Sequence, residues 1–240
     1  LSHTSLLHSL DHIEQLAEGR QVFITTHSSY VLNRMGLDNL HLLHHGIMAN
    51  FGELTEDTVA YFKKQSGYDT LRMVLARHLV IVEGPSDEMI FKRAYFDQTG
   101  RTTDHDQIDV IAQGTRNRRG LELCAALDRS VAVLRDTDDQ TPEYWRGKAR
   151  QWLESGKREM FVGNPDFGEP QVANTNIQAG SDYEARLRRI VECTEGKSLE
   201  EFMTDDKTGW AWRVASAAES DKIKYPTYII DAIDFVTRAK

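Results

Sequence analysis

Short apolar runs alternating with helical segments between residues 79 and 162 identify an α/β fold, a parallel sheet flanked by helices. Two of these runs end in acid. Leu79-Val80-Ile81-Val82 runs into Glu83-Gly84-Pro85-Ser86-Asp87, and Val131-Ala132-Val133-Leu134 passes through Arg135 into Asp136-Thr137-Asp138-Asp139. Continuous apolar runs of strand length are the pattern of strands buried on both faces. Open α/β sheets bind ligands outside the carboxyl ends of such strands, so both acidic clusters are expected at one edge of one sheet. Like charges held that close repel, and a hard divalent cation with oxygen ligands relieves the repulsion. The residues alone point to a Mg2+ or Mn2+ site for phosphate chemistry.

Along the chain, Leu6, Leu7, Leu10, Ile13, Leu16 and Ala17 recur at helical spacing over residues 2–18, and Gly19 ends the pattern. Residues 21–26 read as a strand, and His27-Ser28-Ser29 leads into a short helix through Asn33. Residues 40–43 and 47–50 flank His44-His45-Gly46 as a hairpin. Residues 55–77 are helical, with an interruption near Gly67. A strand over 79–83 precedes a helix opened by Pro85, a favoured first helical position. Residues 108–112 form a second strand, followed by Gly114 and a helix over 118–128. Residues 131–135 are a third strand with a helix after Pro142, and 159–162 are a fourth. The Gly-, Asn- and Pro-rich stretch 163–180 is a loop, and from Ser181 the chain is helical to its end. The organisation expected is three parts: 1–78, a catalytic α/β domain over 79–180, and a helical subdomain over 181–240.

The bulk numbers exclude several classes. A chain of 240 residues buries a full core. Its formal net charge of −8 provides no global basic field for passive DNA coating, though a local basic patch remains compatible with DNA as a partner. Cys124 and Cys193 both fall in helix-like segments and fit reduced packing roles in a cytoplasmic protein. No apolar stretch approaches the ~20 residues of a membrane span. The chain opens at Leu1 in mid-pattern, which predicts a fragment of a longer protein.

Taken singly, Glu83 is an ordinary loop acid and Asp87 an ordinary first-turn acid, placed where a helix N-terminus favours negative charge. Asp136 and Asp138 project to the same side if the backbone stays extended, and two such carboxylates can hold one cation or bridge two. A calcium-binding loop is rejected, because the glycine and glutamate it requires are replaced by Thr141 and Gly147. The conjunction of both acidic clusters on one α/β pattern is what carries the signal. Gly114, in Gln113-Gly114-Thr115-Arg116-Asn117, permits close approach of backbone to phosphate. Arg116, Arg118 and Arg119 are either a basic knot for a phosphodiester backbone or solvated charges at a helix start.

Glu83-Gly84-x-x-Asp87, the Gly114 turn and Asp136-x-Asp138 together resemble a Toprim domain, the α/β module of topoisomerases, bacterial-type primases and several nucleases. Gln21-Val22-Phe23-Ile24-Thr25-Thr26-His27-Ser28-Ser29-Tyr30-Val31-Leu32-Asn33, followed by Gly36-Leu37-Asp38-Asn39-Leu40, is similar to the final segment of the ABC-type ATPase head of the OLD (overcoming lysogenization defect) family. Proteins of that family join the ATPase to a C-terminal Toprim nuclease. The resemblance implies that 1–78 is the end of an ATPase domain, and that His27 is its γ-phosphate switch residue in the full-length protein. No G-x-x-x-x-G-K-[ST] loop is present, so this chain is not expected to hydrolyse ATP, which serves only the full-length protein. Gly168-Glu169-Pro170-Gln171 resembles a Leu-Glu-Pro-Gln element that makes Glu169 a candidate ligand of a second metal, with glycine where leucine is usual. The family's lysine for transition-state charge is assigned to Lys224, ahead of Lys222.

The expectation is a Mg2+- or Mn2+-dependent Toprim endonuclease acting on DNA with two ions roughly 4 Å apart. Glu83, Asp136 and Asp138 are its core ligands, Asp87 and Glu169 complete the second position, and Glu83 can instead act as general acid or base. A topoisomerase- or primase-like enzyme and a non-catalytic scaffold are the alternatives. Homo-oligomerisation through the ATPase region and a role in phage defence follow from the resemblance alone.

Overall fold

A parallel four-stranded sheet organises residues 76–240, and the reason is visible strand by strand. The computed structural model describes residues 3–26, 28, 31, 40–44, 47–50, 54–64, 72–138, 140–163, 182–218 and 223–238. Two units divide it, Leu1–Leu75 and Ala76–Lys240. The first contains α1 (His3–Leu16), an antiparallel hairpin of β1 (His41–His44) and β2 (Ile47–Asn50), and α2 (Glu56–Lys64). The expected helix and hairpin are both present.

The expected strand at 21–26 is not: these residues form no ladder, and Phe23 is 84% exposed. A strand exists only where neighbours satisfy its backbone groups, and among the described residues of this unit the hairpin pairs with itself alone. His27 and most of the short helix expected after it lie outside the described residues.

In the second unit, β3 (His78–Val82), β4 (Ile108–Ala112), β5 (Val131–Arg135) and β6 (Arg158–Val162) run parallel in the order β4-β3-β5-β6. The register sets Ile81 beside Val133 on one side and Ile111 on the other. β3 and β5 are buried at every position, which is why they read as unbroken apolar runs. Helices α3 (Pro85–Thr99), α4 (Asn117–Ala126) and α5 (Pro142–Ala149) connect or follow the strands. Behind the sheet come α6 (Asp182–Ile190), α7 (Leu199–Asp205), α8 (Lys207–Ala215) and α9 (Thr227–Arg238).

Alternate strand residues serve opposite faces. Val80, Val82, Val110, Ala132 and Leu134 join a cluster with Ile90, Phe91, Leu187, Val214, Ala232 and Ile233. Sheet, α3 and the C-terminal helices therefore share one core. Ile81, Ile111 and Val133, equally buried, belong to the other face, and α4 packs on β3 and β5. Full burial of each such side chain contributes about 1.5–3 kcal/mol.

α8 lies along α3. Arg93 of α3, buried and ion-paired with Asp97 at 2.9 Å, donates from Nη1 to the carbonyls of Val214, Ala215 and Ala217 at 3.1, 3.2 and 2.5 Å. A cation on the open carbonyls of a helix C-terminus is favourable, and here it fixes α8 against α3. Asp206 caps the other end of α8 by accepting from the Gly209 N–H at 2.9 Å. No described helix is long and apolar enough to cross a membrane.

Candidate active site

Strand order decides where chemistry can sit. The chain passes from β3 to β4 on one side, then returns across β3 to β5 on the other. The carboxyl ends of β3 and β5 thus flank the switch point, the position where open α/β sheets hold ligands. Glu83 follows β3 and Asp136 follows β5 directly. The β3 exit turns tightly, with the Gly84 N–H donating to Asp87 Oδ2 at 2.8 Å and Pro85 opening α3. This pins Asp87 back toward Glu83. The β4 exit turns at Gly114, whose φ of +64° lies in the left-handed region that suits glycine, and its N–H donates to the Glu83 carbonyl at 2.8 Å.

Glu83, Asp87, Asp136 and Asp138 line one cleft of about 810 Å³ together with Gly114, Lys207 and Trp210. Burial pushes the Glu83 carboxyl up to about 7; Arg135 opposes the shift, and Asp136, Asp138 and Asp87 add to it. Burial likewise pushes Asp136 up to about 7, reinforced by Asp87 and Asp138 and opposed by Lys207 and Arg135. Asp87 is raised by burial against the Gly84 N–H bond and Lys207. Glu83 thus feels all three other acids, and Asp136 feels Asp87 and Asp138. Tyr228 of α9 closes a small recess beside Glu83, Asp87 and Asp136, and burial followed by those three charges holds its phenol well above the ordinary range.

Arg135 occupies the middle of the cluster. Its Nη1 lies 3.0 Å from Glu83 Oε1 and its Nη2 2.9 Å from Asp138 Oδ2, while the guanidinium carbon stands 3.6 Å over the Trp145 ring centroid. Trp145 is held by donation from Nε1 to the Thr137 carbonyl at 2.8 Å. Asp138 takes a φ of +44°, a left-handed conformation that aspartate tolerates better than most residues. The contact at Glu83 Oε1 is a charge contact rather than an aligned hydrogen bond, since that buried oxygen has no hydrogen-bond partner.

The donor set suits a hard divalent cation: carboxylate oxygens, one buried and without a hydrogen bond, whose mutual repulsion a cation relieves. The coordination shell is not closed. Among the described residues no three Asp, Glu, His or Cys side chains converge as a cage, and the guanidinium of Arg135 already holds Glu83 and Asp138.

These shifts set a pH dependence for metal-free protein. A carboxyl that titrates near 4 when unfolded and near 7 when folded leaves the folded state holding more protons between those values. Stability is then present at low pH and lost as pH rises through about 7. In chelator, the melting temperature is expected to fall from pH 5.5 to pH 8, and Asp136→Asn to flatten that slope; a rise over this window in scanning calorimetry contradicts the assignment.

Of the other residues singled out by sequence, Arg118 and Arg119 line a second cavity that Arg135 also borders. The side chain of Arg116, and Glu169, His27 and Lys222 as a whole, lie outside what the structure describes. Lys224 is not brought to the cleft: its Nζ stands 5.4 Å over the Tyr183 ring, and its N–H donates to Tyr183 Oη at 3.2 Å. Among the described residues, a second cation beside Arg135 faces the acids, Lys207, the first residue of α8, which sequence reasoning missed. Nothing local marks Lys207; helix packing alone carries it there.

Residues 74–138 match the family model "Overcoming lysogenization defect protein-like, TOPRIM domain". Among solved structures, the chain is similar to the C-terminal region of the Burkholderia pseudomallei OLD protein at 18% identity and TM-score 0.44, over 69% of this chain and 98% of that one. It is similar to the C-terminal region of the Xanthomonas campestris pv. campestris OLD protein at 17% identity and TM-score 0.44, over 70% of this chain and 95% of that one. No curated protein matches.

Proposed function

We propose, on the premise that residues 74–138 are an OLD-like Toprim domain, that this chain is a Mg2+- or Mn2+-dependent endonuclease that hydrolyses phosphodiester bonds of DNA. The observation that carries the reading is the assembly of Glu83, Asp87, Asp136 and Asp138 along one cleft at the β3/β5 switch point. Asp136, Asp138 and Glu83 would hold the metal, with Asp87 beside them. Bound there, a divalent cation supplies Lewis-acid stabilisation of phosphoryl oxygens and acidifies water. Glu83, with its carboxyl near neutrality, can take or give a proton at Oε1 at working pH. Lys207 sets positive charge where negative charge develops on the phosphoryl group. Arg118 and Arg119 meet the nucleic-acid backbone. Residues 1–78 belong in this reading to the end of an ATPase domain, with ATP and homo-oligomerisation confined to the longer protein.

A scaffold reading draws on Arg135, which already neutralises two of the acids without metal. Calorimetric titration separates the two: the nuclease binds Mn2+ and the scaffold does not. Supercoiled plasmid incubated with Mg2+, Mn2+, Ca2+ or chelator is expected to be nicked or linearised in Mg2+ or Mn2+ and untouched in chelator. Lys207→Ala is expected to slow cleavage about 10²-fold and Lys224→Ala to leave it within about 3-fold; the reverse order restores Lys224 to the role.

A further inference from the structure

A second cavity, of about 320 Å³, is bordered by Arg135 and shares Thr115 with the acidic cleft. Four cationic residues border it, Arg118, Arg119, Arg135 and Lys148, with no acidic residue among its lining. Trp145, Ala149 and Met160 give it an apolar wall, and Thr115 and Asn117 complete the lining. Two of its lining side chains carry buried donors that nothing among the described residues satisfies: Asn117 Nδ2 and Arg135 Nε. Asn117 and Arg135 are 5% and 4% exposed. A buried donor without an acceptor costs about 1–3 kcal/mol, so two in one cavity mark a place for a ligand that accepts hydrogen bonds. The volume is at the lower end of small-ligand pockets, roughly 300–1,000 Å³. It exceeds what an inorganic anion fills, and its apolar wall is wasted on one.

We propose that this cavity binds one nucleotide unit, its phosphate among Asn117, Arg118, Arg119 and Lys148 and its base against the Trp145–Met160 wall. Stacking of a base on an aromatic wall contributes about 1–3 kcal/mol and tolerates any sequence. The choice of a nucleotide over another flat anion rests on the nuclease reading; the two unsatisfied donors and the cation ring do not. Arg135 makes the cavity and the cleft neighbours, since the same guanidinium that lines the cavity holds Glu83 and Asp138. A strand that seats one nucleotide here has its adjoining phosphodiester delivered toward the carboxylates.

The test is calorimetry on the full chain in chelator, with dAMP, deoxyadenosine and inorganic phosphate as probes. One dAMP is expected to bind per chain, with phosphate and deoxyadenosine each at least 10-fold weaker. Lys148→Glu, an exposed substitution that spares the fold, and Asn117→Leu are each expected to weaken dAMP at least 10-fold. Phosphate binding as tightly as dAMP, or dAMP binding indifferent to Lys148→Glu, overturns the proposal. Plasmid cleavage measured on the same variants keeps the two readings apart. Cleavage without a Lys148-sensitive dAMP site sinks the cavity alone, and a dAMP site without cleavage sinks the nuclease alone.

Discussion

Asp136→Ala/Asp138→Ala is expected to abolish DNA cleavage, by about 10³-fold or more, while the protein melts no lower than the parent in chelator. The loss follows from removing two of the acids that would hold the catalytic cation, whose Lewis-acid contribution is several kcal/mol. The unchanged melting temperature follows from a different feature. Asp136 is half-buried among like charges and its carboxyl is pushed up to about 7, so its ionised form is a cost to the folded state at neutral pH. Alanine removes that cost at Asp136, offsetting the ion pair that Arg135 loses at the half-exposed Asp138. Sites that concentrate like charge trade stability for chemistry. A plasmid assay and a thermal melt on one preparation check both halves: cleavage at the parental rate ends the metal-site assignment, and a large drop in melting temperature ends the charge-repulsion account.

Arg135→Met has the second large effect. The guanidinium is 4% exposed, pairs with Glu83 and Asp138, and stacks on Trp145. Methionine keeps the apolar stem and leaves Glu83 largely buried with only acidic neighbours in charge contact. Removing one partner of a buried pair costs about 3–5 kcal/mol; with Asp138 half exposed, about 3 kcal/mol is expected, a melting shift of roughly 6–12 °C for a domain of this size. The deficit should shrink toward pH 5, where Glu83 takes up a proton and no longer needs a counter-charge. A deficit equal at pH 5 and pH 8 would falsify the electrostatic explanation and leave packing on Trp145 as the cause. Mn2+ separates the roles further. If a cation relieves Glu83 in place of the guanidinium, saturating Mn2+ raises the melting temperature of Arg135→Met more than that of the parent.

The sheet was legible because parallel strands covered on both faces must be apolar throughout, and Ile108–Ala112 and Val131–Arg135 fall where the apolar runs end. The four acids were legible because each sits within a few residues of a strand end, where local spacing and fold position coincide. What escaped depends on distance in space. Arg135 stood inside the quoted motif, yet nothing in its spacing says that a strand-terminal arginine turns inward onto Glu83 and Trp145. Lys207 reaches the acids through the packing of α8 along α3, which Arg93 helps fasten, a long-range contact without a sequence signature. Lys224, chosen by its place near the chain's end, instead packs on Tyr183. Residues 21–26 carried a strand's composition without a neighbouring strand, and composition does not supply hydrogen bonds.

One face of the sheet has a cover drawn largely from residues 183–236. Val80, Val82, Val110, Ala132 and Leu134 pack against side chains as late as Ile233 and Val236. During synthesis, then, all four strands leave the ribosome before most of that cover does, and a nascent chain halted at residue 162 has only α3 to shield this face. The core on this face closes only once residues up to Val236 have emerged, so the interval between the last strand and α9 is when the face most needs shielding.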